Sequence, residues 1–110
     1  MAYDEELADR IRAHIGVAPD VAEKKMFGGL AFLAGGNMAV AASGQGGIMV
    51  RVDPARSDEL AGRAGASPME MKGRSMKGWL RVDDDHVRTA RQLARWVDIG
   101  LAYARSLPAK

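Results

Sequence analysis

Cysteine is absent from the 110-residue chain, which removes disulfides, thiolate metal sites and cysteine nucleophiles from consideration. Imidazole is nearly as scarce: His14 and His86 are the only two, and neither stands in a recognised nucleophile frame with serine or carboxylate. Aromatic residues make up only 5%. The largest gap is one of charge, since no residue from Met26 through Val50 carries any. A membrane helix needs about 20 predominantly apolar residues. This interval, however, is broken by Gly28, Gly29, Gly35, Gly36, Gly44, Gly46 and Gly47, and by Asn37, Ser43 and Gln45. Each glycine weakens a helix by about 1 kcal/mol relative to alanine. Hairpins explain the stretch; a membrane span does not. The N-terminus, Met1-Ala2-Tyr3-Asp4-Glu5-Glu6, is acidic where a secretory signal is basic and then apolar. The expected location is therefore cytoplasmic.

What remains has the balance of an ordinary globular protein, 47% hydrophobic and 27% charged. The length suits a single domain over residues 1–110. The net charge of +2 is unevenly placed. Residues 1–20 hold two positive and five negative charges, so the positive excess lies in the rest of the chain. It is too mild for a dedicated nucleic-acid arm.

Leu7, Ile11 and Ile15, with Ala8 and Val17, give helical spacing from about Asp4, and Gly16 and Pro19 end that helix. Glu6 and Arg10 are spaced to pair one turn apart. Strands follow at Val21 to Met26, Leu30 to Ala34, Met38 to Ala42 and Ile48 to Val52, divided by glycine-rich turns. Asp53-Pro54 opens a short helix that buries Leu60 and Ala61 and stops at Gly62 or Gly65. Pro68 to Met71 and Trp79 to Val82 read as two more strands, joined by a basic loop from Lys72 to Lys77. The last helix is expected over His86 to Leu107, with a stripe of Ala90, Leu93, Ala94, Val97, Leu101 and Ala104. The order α-β-β-β-β-α-β-β-α implies a two-layer α+β sandwich, an antiparallel sheet with helices on one face.

Alternation along the strands separates two faces. Ile48, Val50, Val52, Leu80 and Val82 form the helix side, which leaves Met49, Arg51, Trp79 and Arg81 opposite. A face holding a tryptophan and a methionine is seldom left bare, and a homodimer is the simplest expectation. Other motifs have plainer readings. Gly44-Gln45-Gly46-Gly47 leads into a strand without the lysine or helix start that a phosphate loop requires, so it reads as a turn. Asp83-Asp84-Asp85-His86 reads as the cap of the last helix, with Asp84 set to meet Arg88, and not as a metal site. Arg88, Arg91 and Arg95 read as the solvated back of that helix, and the two histidines as surface residues. Lys24 and Lys25 beside Phe27, and Arg74 and Lys77 beside Trp79, are better candidates for recognition, of an acidic protein patch or of a nucleic-acid backbone.

Lys25-Met26-Phe27-Gly28-Gly29 and Met76-Lys77-Gly78-Trp79 together give the chain its resemblance to the N-terminal domain family of the TfoX/Sxy competence regulators. The resemblance covers nearly the whole length. It implies a two-layer α+β domain, a part in regulating competence-gene expression alongside other transcription factors, and no established enzymatic chemistry. The full-length regulators carry a second domain that looks like a helix-hairpin-helix module, which this chain, ending at Lys110, is expected to lack. The expectation is a non-catalytic, cytoplasmic regulatory or protein-interaction module without cofactor or metal. Its candidate surface is Lys24, Lys25, Phe27, Met49, Arg51, Arg74, Lys77, Trp79 and Arg81, and its expected partners are a second copy and a regulatory protein. Direct nucleic-acid binding through the same basic residues is the alternative, and a small-molecule enzyme or binder has no supporting residues.

Overall fold

The computed structural model describes residues 3–26, 28–44, 46–62, 66–71 and 74–109, with the backbone alone at 69–71 and 74–77. Its elements run α1 (Glu5–Ile15), β1 (Val21–Met26), β2 (Gly29–Ala34), β3 (Asn37–Ala42), β4 (Ile48–Arg51), a 3-10 turn (Pro54–Arg56), α2 (Ser57–Ala61), β5 (Ala66–Met71), β6 (Arg74–Val82), a second 3-10 turn (Asp84–His86) and α3 (Ala90–Ser106). The order expected from the sequence is the order found. The strands form one open antiparallel sheet, β1-β2-β3-β4-β6-β5. The protein is α+β, an open six-stranded sheet with three helices.

Local chemistry sets the boundaries. Asp4 caps α1 by accepting from the Leu7 N–H, and Gly16 ends the helix at a φ of +66°. The turn between β1 and β2 holds Gly28 at φ +75°, a conformation that glycine takes without steric cost. Asp53 caps the 3-10 turn before α2, and Pro54 follows as its first residue. Three expectations are corrected at this level. The basic stretch is strand from Arg74 to Lys77, because β6 already begins at Arg74. The last helix begins at Ala90, not His86. Asp83 caps a separate 3-10 turn, and Thr89 with Gln92 forms the capping box that starts α3. Val17 does not join the α1 stripe, since the chain reverses at Gly16 and leaves it 99% exposed.

The main core lies between the helices and one face of the sheet. Leu7 and Ile11 of α1, Leu60 of α2, and Leu93, Trp96, Val97 and Leu101 of α3 pack against Phe32, Val40, Ile48, Val50, Leu80 and Val82. The sequence stripe of α3 held Leu93, Val97, Leu101 and Ala104, but Ala90 is exposed and Ala94 half-buried. Trp96 and Gly100 take those places in the core. Gly100 has a direct reason to be there. A Cβ at that position would stand 2.4 Å from the Ala39 carbonyl oxygen, so α3 rests on the backbone of β3. Ala39 is the extra residue where the β2–β3 register shifts, pairing passing from Phe32↔Val40 to Leu33↔Met38.

Charged side chains tie the layer together from outside. Arg10 does not pair with Glu6; its guanidinium donates to the carbonyls of Val87 (2.9 Å) and Arg88 (2.7 Å). Arg12 holds Glu23 through two hydrogen bonds of 2.6 and 2.7 Å, which fastens α1 to β1. Arg105 meets Asp20 at 2.9 Å, and His14 meets Asp98 at 2.8 Å. No helix among the described residues is long and apolar enough to cross a membrane.

Candidate interaction surface

The sheet face turned away from the helices, the far face, can be read rung by rung from the strand registers. Its central rung crosses all six strands: Lys24, Ala31, Ala41, Met49, Arg81 and Ser67. A neighbouring rung holds Ala22, Leu33 and Met38, with Arg51 opposite Trp79 further along. Alanines occupy the middle and leave room for the longer side chains beside them. Met26, Leu33 and Trp79 are half-buried and pack with Ala31, Met38, Ala41 and Met49 into a second small cluster. Met49 keeps 8% of its surface exposed and Met38 7%, so a single chain already covers most of this apolar layer. Trp79 lies in this cluster, on the side opposite the helices.

The candidate residues separate into groups. Met49, Arg51, Trp79 and Arg81 share the far face as alternation requires. Lys24 and Lys25 do not share a face. Lys24 lies opposite Ala31, on the far face, whereas Lys25 lies opposite Leu30, on the helix side. Lys24 and Arg81 stand on one rung but four strand spacings apart, about 19 Å. Phe27 lies outside the described residues. Arg74 and Lys77 belong to β6 by their backbone, and their side chains lie outside what the structure describes.

Arg51 makes ring contacts that the sequence did not reveal. Its guanidinium carbon lies 5.5 Å from the Trp79 ring centre and 5.7 Å from that of Tyr103 on α3. A cation within about 6 Å of a ring is drawn to the π-face, so Arg51 joins the far face to the helix layer at the end of β4. Tyr103 also lines a groove of about 410 Å³ with Leu60, Ile99 and Ala102, together with Asp53, Arg56 and Asp98. Nothing in the spacing of α3 would have linked Tyr103 to a strand arginine, because the contact depends on how the helix crosses the sheet. Arg81 donates to the Gly46 carbonyl at 3.1 Å, and the Gly47 N–H donates to Asp84 at 2.9 Å. The β3–β4 loop is therefore held from β6 and the turn after it. Asp84 is engaged there, and Arg88 pairs with Asp85 at 2.7 Å.

Shifted titrations among the described residues have simple causes. Hydrogen bonds from Arg105 and from Arg12 hold the Asp20 and Glu23 carboxyls below their ordinary range. His86 does the same for Asp83, through a 2.6 Å contact at Nδ1. Each is an exposed or nearly exposed ion pair. Among the described residues there is no cluster of three or more His, Cys, Asp or Glu set to hold a metal.

A family model described as the TfoX N-terminal domain matches residues 14–104. That interval runs from the last turn of α1 into the last turn of α3 and includes the whole sheet. No curated protein and no solved structure matches the chain.

Proposed function

The chain belongs to the TfoX N-terminal domain family, and from that premise we propose that it is a regulatory docking module with no catalytic step of its own. Its far face receives an acidic and partly apolar surface of a regulatory protein, in the manner of the N-terminal domain of a competence regulator. The family is not known for enzymatic activity. The observation that carries this reading is the sign of the far face. Among the strand residues whose side chains are described, its charged ones are Lys24, Arg51 and Arg81, all positive. The one carboxylate in that set, Glu23, is turned to the helix side and held by Arg12. Beside these cations stand the half-buried Met26, Leu33 and Trp79. Protein interfaces favour this mixture of arginine, aromatic residue and methionine.

Titration with two probes tests the reading: an amphipathic peptide of alternating glutamate and leucine, and a mixed-sequence DNA duplex. Docking requires that the peptide bind, that Trp79→Ala weaken it several-fold, and that raised salt reduce it only modestly. Lys24→Ala should weaken it too, while Lys25→Ala, on the other side of the sheet, should not. Absence of peptide binding, or indifference to Trp79→Ala, sinks the proposal. The same cations could follow a phosphate backbone instead. In that case the duplex binds, its affinity falls linearly in log–log form with salt, and Lys24→Ala lowers the slope by about one.

A further inference from the structure

We propose that β1 is a dimerisation edge: two copies of this chain join antiparallel along Val21–Met26, about a two-fold axis at Lys24, into one continuous sheet. The inference goes beyond the docking reading and stands without it.

β1 and β5 are the two edges of the sheet. The β5 edge carries Pro68, which has no N–H, and its register slips between Pro68 and Met69. Both features discourage strand addition. β1 has neither. The Gly35 N–H donates to the Asp20 carbonyl at 2.9 Å, just beyond the Val21↔Ala34 pair. Alternation along the β1–β2 register then makes Ala22, Lys24 and Met26 the residues bonded inward to β2. Val21, Glu23 and Lys25 therefore turn their main-chain groups outward. The Val21 N–H is already used, donating to Ala18 at 2.9 Å. Among the described residues no hydrogen bond takes up the outward groups of Glu23 and Lys25, and residues 22–25 are all exposed.

Charge order selects the occupant and the register. Antiparallel partners opposite one another share a face, so the two-fold axis must pass through a residue. An axis at Glu23 opposes two glutamates, and one at Lys25 opposes that lysine to itself within a hydrogen-bonded pair. An axis at Ala22 relies on the Val21 N–H that Ala18 already holds. Only the axis at Lys24 sets Glu23 against Lys25 of the second copy, twice, with about four backbone hydrogen bonds between the chains. It also sets Ala22 against Met26 twice on the far face. Lys24 alone meets its own copy. Charged residues usually guard a sheet edge against pairing; here their order makes one register attractive.

Two adjacent lysines thus have opposite effects, and this makes the test sharp. In sedimentation up to about 0.5 mM, a range suited to a small interface, the wild-type chain should dimerise. Lys24→Ala should tighten the dimer by removing the like pair. Lys25→Glu should weaken it roughly tenfold, since two opposite-charge pairs become two like-charge pairs. Mixing Lys25→Glu with Glu23→Lys should restore a one-to-one dimer. The chain contains no cysteine, so Lys24→Cys introduces a single thiol. Its opposed Cα atoms, about 4.5 Å apart, suit a disulfide. Mild oxidation should cross-link Lys24→Cys at least several-fold faster than Lys25→Cys. A wild-type mass of one chain throughout, both lysine variants shifting association the same way, or equal cross-linking at the two sites would each overturn the proposal.

Discussion

The helix face and the far face come from the same six strands, yet they are filled by different means. On the helix side, branched and aromatic residues such as Phe32, Val40, Ile48, Val50 and Leu80 meet three helices and are closed from water. On the far side, Ala31 and Ala41 form a low centre overlaid by Met26, Leu33, Met38, Met49 and Trp79, and no helical residue among those described joins that cluster. The first arrangement specifies the fold, because branched side chains in a packed core have few alternative rotamers. The second is thin and rich in unbranched thioethers, which adapt to whatever they touch. Stability is thus concentrated on one side, leaving the other free to meet a partner at small cost to the fold.

Substitutions on the two sides should expose that asymmetry. Trp96→Ala, in the helix-side core, should cost about 3–5 kcal/mol in a denaturant melt. Gly100→Ala should come next. A helix gains about 1 kcal/mol from such a change, but the added Cβ would meet the Ala39 carbonyl at 2.4 Å. Overpacking against rigid backbone costs about 1–3 kcal/mol, so a net loss is expected. Trp79→Ala, half-buried on the far face, should cost about 1 kcal/mol; a loss equal to that of Trp96→Ala would erase the distinction between the faces. The smallest effect concerns acid. The folded-state pKa values of Asp20 and Glu23 are depressed by Arg105 and Arg12. Their contribution is fully present above the ordinary carboxylate range near pH 4 and is lost as pH falls through the folded values. Exposure keeps it small. Thermal melts of Arg105→Ala should therefore show a shallower decline below about pH 4 than the wild-type chain.

Much of this was legible in the sequence. Glycine pairs within an uncharged run placed the first four strands within a residue or two, because positive-φ turns leave a strong local signature. Met49, Arg51, Trp79 and Arg81 fell on one face because strand periodicity is strict. Three things were not legible. The start of α3 was masked by Asp83, Asp84 and Asp85, which cap a 3-10 turn as readily as a helix. Trp96 and Gly100 entered the core because of where α3 crosses the β3 bulge, a tertiary matter that helical periodicity does not contain. Lys24 and Lys25 read as one basic patch until the register placed them on opposite sides.

That last arrangement makes β1 a pair of chemical reporters one peptide bond apart. A ligand lying across the far face shields the amine at position 24 from an acylating reagent while that at 25 reacts as before. A helix-side ligand reverses the ratio. Mass spectrometry of the peptide spanning both would then tell from which side the sheet had been approached, without any label being introduced.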